Sequence, residues 1–138
     1  MTDYSKFWSV GILLMLAFSV FGELIVLLDD YVFVRVGVSR NSLLLALWLL
    51  PLLAPCVTSY FSNKHKLLLS LSYMIFFPLI VASVHYISVE VGGAVDFVGF
   101  AGAVAVFKLY FALGSGPIIL GAVLGLILSK RHPGAEGR

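Results

Sequence analysis

Few side chains in this sequence could do chemistry, and Glu23 stands out among them. It lies in FWSVGILLMLAFSVFGELIVLL, residues 7–28, an apolar run long enough to cross a bilayer. A carboxyl group in such surroundings is costly unless it is buried, paired or functional. At 1.5 Å of rise per residue it sits roughly 8 Å inside the far end of its helix. His85, Trp48 and Lys108 occupy matching depths in other apolar stretches, so the spacing brings Glu23, Trp48, His85 and Lys108 into one leaflet. Two chemistries fit this set. The first is a polar pocket in which Glu23 exchanges protons or holds a cation; burial favours the neutral acid and a nearby cation favours the carboxylate. The second is a structural role, in which Glu23 joins two helices through a hydrogen bond or ion pair, or snorkels to the surface. On that reading His85 is an interhelical donor and Lys108 an interface anchor.

Familiar reaction centres are missing. The chain contains no HExxH, CxxC, GxSxG or P-loop pattern, and Cys56 is its single cysteine. Only His85 of the three histidines falls within an apolar stretch, which leaves paired haem ligation in one chain unsupported. Glu23 is the one carboxylate inside a core stretch, whereas an intramembrane aspartic protease needs two. The expectation is a protein that is not an enzyme and takes neither metal nor cofactor.

The elements that position these residues follow from composition. The 138 residues are 61% hydrophobic and 12% charged, with a mean hydropathy of +1.07. Soluble domains carry about 25% charged residues, and so small a chain could not hide this much apolar surface. The fold class predicted is an all-α integral membrane protein, a four-transmembrane-helix bundle with a small outer cap made of a loop, an interfacial helix or short strands. Its spans are expected near residues 7–28, 43–61, 67–89 and 109–128, forming one domain over residues 1–131, with residues 132–138 as a disordered polar tail. Helices are required because unpaired strands would leave backbone groups unsatisfied in lipid. The run at 7–28 exceeds the h-region of a cleaved signal and no A-x-A site follows, so it reads as a retained helix.

Basic residues set the expected orientation. Lys6, Lys64, Lys66, Lys130, Arg131 and Arg138 fall on one side of a four-span arrangement, and Arg35, Arg40 and Lys108 on the other. The positive-inside rule then places both termini in the cytoplasm, and a bacterial inner membrane is the expected location. No basic cluster points to nucleic acid.

On the outer side, Asp29, Asp30, Tyr31, Arg35, Arg40, Glu90 and Asp96 form the expected binding surface. Valines at 32, 34, 36 and 38 alternate with other residues, a strand-like period, and residues 85–91 alternate loosely too. A two-stranded cap and an ordered surface loop are both compatible with that pattern. The apolar run at 91–129 is too long for one upright span. The preferred reading is an interfacial segment over 94–107 followed by the fourth span, and the rival is one long helix bent at 114–117. Pro51, Pro55 and Pro78 predict kinks. Gly121 and Gly125 form a GxxxG pattern that permits close helix approach, within the bundle or between copies.

In span number and in having an acid in its first helix, the chain resembles the small multidrug resistance transporters in architecture. It departs from them in placing Glu23 near the outer end, beside bulky residues in FSVFGELIVLLDD. It also resembles, in size, span count and lack of catalytic motifs, the immunity proteins that protect against pore-forming toxins. Two functions follow as expectations. One is binding of a protein partner through helices and outer loops, as an accessory subunit or immunity-type inhibitor. The other is ion- or proton-coupled transport by a homodimer with Glu23 as coupling acid.

Overall fold

The computed structural model describes residues 3–28, 30–62, 64–92 and 99–131. Asp29, Asp96 and the tail 132–138 lie outside the described residues, as do the side chains of Asp30 and Tyr31. Every regular element described is a helix: α1 (Asp3–Leu27), α2 (Asp30–Val36), α3 (Arg40–Leu47), α4 (Leu49–Phe61), α5 (Lys66–Glu90) and α6 (Gly99–Arg131). Four stretches are long and apolar enough to cross a membrane: Lys6–Leu27, Arg40–Phe61, Lys66–Glu90 and Gly99–Arg131. The chain is therefore an all-α, four-helix membrane bundle.

Three expectations are corrected. The valine-rich outer segment is helix α2, not strand or loop. Beside a membrane a helix satisfies its own backbone groups, which a lone strand cannot do, and this outweighs the β-preference of valine. Residues 85–90, read as loosely alternating, continue α5 without a break. The interfacial segment expected over 94–107 is, from Gly99 onward, the beginning of a single 33-residue helix. At 1.5 Å per residue α6 is about 50 Å long, well beyond the roughly 30 Å of a hydrocarbon core. Pro117 lies within it without ending it.

The second span is broken at Trp48, between α3 and α4. Pro51 explains the break. It has no N–H to offer the Leu47 carbonyl, and its ring crowds that same carbonyl. At the break the Trp48 amide bonds the carbonyl three residues back, that of Leu45, at 3.1 Å. Pro51 itself then sits in the first turn of α4, where a missing N–H costs little.

Side-chain contacts define the topology. Phe7, near the start of α1, stacks on Phe61 at the end of α4, with ring centroids 4.8 Å apart. Trp8 donates from Nε1 to Ser72 Oγ near the start of α5, at 3.0 Å. So α1 and α5 run together and α4 runs against them. One end of the bundle carries residues 6, 61, 66 and 131; Glu23 and His85 lie toward the other.

The long α6 packs mainly on α5 and α4. Two glycines allow the approach to α4. A Cβ at Gly121 would fall 2.1 Å from the Leu52 carbonyl oxygen, and one at Gly125 would fall 2.3 Å from the Cys56 carbonyl oxygen. The GxxxG pattern is thus occupied inside the bundle. Two other glycines seat large rings: a Cβ at Gly11 would overlap Tyr73, and one at Gly114 would overlap Phe77. Tyr73, Phe77, Met15 and Ile118 fill the centre and are almost wholly inaccessible.

Candidate functional site

The site is built from two helices that share a direction. α1 brings Glu23 and α5 brings His85, and the carboxylate Oε1 lies 2.8 Å from His85 Nδ1. An Nδ1–H donates to Oε1 both in the neutral tautomer protonated there and in the imidazolium. The pair can therefore hold its two protonation states with the same geometry. It is largely but not completely enclosed, with side-chain exposures of 11% for His85 and 19% for Glu23.

Beneath the pair lies a group of four rings. Phe18 meets Trp48 and Phe77 edge-on, with centroids 5.2 and 5.1 Å apart. Trp48 and Tyr110 are near-parallel, at 6.0 Å and 12°. Phe77 crosses Tyr110 at 6.0 Å and 77°. Separations of this kind are favourable edge-to-face and offset geometries. The rings come from α1, α5 and α6 and from Trp48, the residue between α3 and α4. They leave the pair with an apolar floor.

Of the four intramembrane residues singled out in the sequence, the structure joins Glu23 and His85 directly and puts Trp48 in the floor. Lys108 does not join them. It is exposed on α6 and forms no ion pair among the described residues. Tyr110, half a turn further along, faces inward instead, with its ring against those of Phe18, Trp48 and Phe77. Of the outer residues, Arg40 donates from Nη2 to the Val26 carbonyl at 2.5 Å, tying α3 to the last turn of α1. Arg35 and Glu90 are exposed on α2 and α5.

A second polar group, not anticipated from the sequence, lies toward the opposite end. The Tyr73 hydroxyl donates to the Trp8 carbonyl at 2.9 Å and lies 2.8 Å from Thr58 Oγ1. Ser59 and Ser70 hydroxyls are 2.5 Å apart, and Ser70 also donates to the Pro55 carbonyl at 3.1 Å. Ser72, which accepts from Trp8, donates to the Leu69 carbonyl. The signal was present as Thr58-Ser59 in one apolar stretch and Ser70, Ser72 and Tyr73 in the next. Hydroxyls on facing helices find each other where water is scarce. Among the described residues, no group of three His, Cys, Asp or Glu side chains could hold a metal ion.

No protein-family model, curated protein or solved structure matches this chain.

Proposed function

We propose that the protein acts by binding another membrane protein, as an accessory subunit or an immunity-type inhibitor of a membrane-inserted toxin. It would sit in a bacterial inner membrane with both termini in the cytoplasm. The observation that carries this reading is the distribution of exposed apolar side chains. The most exposed large hydrophobics are Phe100, Val91, Val34 and Leu45, at 80, 78, 77 and 71%. All four belong to the Glu23 end, in the short helices, at the exit of α5 or at the start of α6. Exposed apolar side chains also line the flanks of the spans, Leu13, Leu68 and Ile75 among them, as lipid requires. Val34 in α2 and Val91 at the exit of α5 lie outside the four spans, and exposed apolar groups there suit a surface that meets a partner. The interior supports the same reading. The intramembrane acid is matched by His85, and close-packed rings occupy the centre of the bundle.

One observation favours the alternative, proton-coupled transport. The Glu23–His85 pair keeps some exposure and can hold a proton, as a coupling site requires.

Full-length protein reconstituted in dye-loaded vesicles separates the two readings. Binding predicts proton flux equal to that of empty vesicles, and photo-crosslinks from Val34 and Val91 to one defined membrane protein in the native membrane. A cation-driven proton flux that disappears in Glu23→Gln would overturn the binding reading in favour of transport.

A further inference from the structure

The end of the bundle opposite the Glu23–His85 pair carries a charge imbalance that the proposed function does not use. The α4–α5 turn presents Lys64, and α6 ends in Lys130 and Arg131; all three are exposed. No carboxylate among the described residues pairs with any of them. The two carboxylates whose side chains are described, Glu23 and Glu90, both lie toward the other end. In the sequence, Arg35, Arg40 and Lys108 at that end stand with four acids, Asp29, Asp30, Glu90 and Asp96, whereas Lys6, Lys64, Lys66, Lys130, Arg131 and Arg138 at the cationic end stand with two, Asp3 and Glu136.

Directly inside the cationic groups the surface turns apolar. Leu68 in the first turn of α5 is 70% exposed, and Leu128 near the end of α6 is also exposed. The positive end of the α5 dipole adds to the field of Lys64, since no acidic residue lies in its first turn. A ligand that fits this pattern has a compact negative group at the level of the cations and a hydrocarbon body running along the leucines.

We propose that this end of the bundle binds anionic phospholipid, with headgroup phosphates held by Lys64, Lys130 and Arg131 and acyl chains lying along Leu68 and Leu128. Each basic side chain near an anionic membrane surface contributes about 1 kcal/mol, which is about fivefold in affinity at 25 °C.

The test is native mass spectrometry of the full chain in detergent, titrated with phosphatidylglycerol or with phosphatidylcholine of the same acyl chains. The expected result is preferential retention of phosphatidylglycerol. That preference should fall about fivefold in Lys64→Gln and further in the Lys64→Gln/Lys130→Gln/Arg131→Gln variant. An Arg35→Gln/Lys108→Gln variant should keep it. Near-ultraviolet circular dichroism of Trp8 and Trp48 confirms that each variant retains the fold. Equal retention of the two lipids would overturn the proposal. So would an equal loss in the Arg35→Gln/Lys108→Gln variant. Displacement of the lipid by millimolar inorganic phosphate would show a free-anion site instead and would also overturn it.

Discussion

Gly121→Ala tests the packing of the whole bundle with a single methyl group. The added Cβ would stand 2.1 Å from the Leu52 carbonyl oxygen, 2.9 Å from Pro55 Cγ and 3.1 Å from the Leu52 carbonyl carbon. Ordinary contact begins at 3.4 Å. Two of the three obstructing atoms belong to backbone and the third to a rigid ring, so no side chain can swing aside. α6 must retreat from α4 by roughly 1 Å, a gap that forfeits a quarter to a half of the dispersion energy of each contact it opens. Overpacking of this kind costs about 1–3 kcal/mol. Gly116→Ala is the control, because a Cβ there meets nothing within 4 Å; it should be neutral, or stabilising by up to about 1 kcal/mol through helix propensity. The assay is unfolding in mixed detergent micelles, followed by tryptophan fluorescence. Adding Gly125→Ala to Gly121→Ala should cost less than the sum of the two single changes, since one retreat accommodates both methyls. Gly121→Ala as stable as Gly116→Ala would refute the close α4–α6 approach.

Further outcomes can be read with the same assay. Ser62 is fully buried and its hydroxyl has no hydrogen-bond partner among the described residues, so Ser62→Ala should raise stability by about 1 kcal/mol; a loss of that size would show that the hydroxyl is satisfied. Glu23→Leu and His85→Leu should each destabilise, and the double variant should lose about 1 kcal/mol less than their sum; strict additivity would mean that the 2.8 Å contact contributes nothing. Pro51→Leu should join α3 to α4 by giving the Leu47 carbonyl an N–H partner, and the new amide at position 51 should exchange about fivefold more slowly than an unbonded one, as a hydrogen bond of about 1 kcal/mol predicts. An unprotected amide there would move the cause of the break away from Pro51.

The spans were legible in the sequence because hydrocarbon imposes length and polarity so strictly. Glu23 and His85 were legible as a pair for the same reason: depth counted along two helices of known rise brings them to one level. Lys108, weighed as counter-ion or interface anchor, shares that level but points outward, because depth says nothing about direction. On α6 the inward position at that level belongs to Tyr110, and rotation about a helix axis is visible only through packing. α2 was misread because alternating valines carry a strand period wherever they occur, and the local pattern does not register the cost of an unpaired edge beside lipid. The start of α6 was misread because the apolar run at 91–129 exceeds one upright span, which assigns its first part to the membrane surface. In the bundle Gly102 is buried instead. The hydroxyl network around Tyr73 eluded the sequence reading because serine and threonine in apolar helices can bond their own preceding turn, as Ser19 does to the Met15 carbonyl.

The length of α6 makes the protein a gauge of membrane thickness. Lys130 and Arg131 fix its C-terminal end at one interface. Transmembrane helices tilt by up to about 40°, and at that angle a 50 Å helix still rises about 38 Å, more than a 30 Å core can cover. The surplus must stand out at the Gly99 end, carrying Phe100 and Val104 with it. α1 and α5, at 25 residues and about 37 Å each, rise only about 29 Å at that tilt and have no such reserve. A bilayer a few ångströms thicker would submerge those turns and gain apolar burial on α6 alone; a thinner one would lift them clear. Membrane compartments that differ by that much would hold the same bundle at different heights, and so present different lengths of α6 to whatever lies above it.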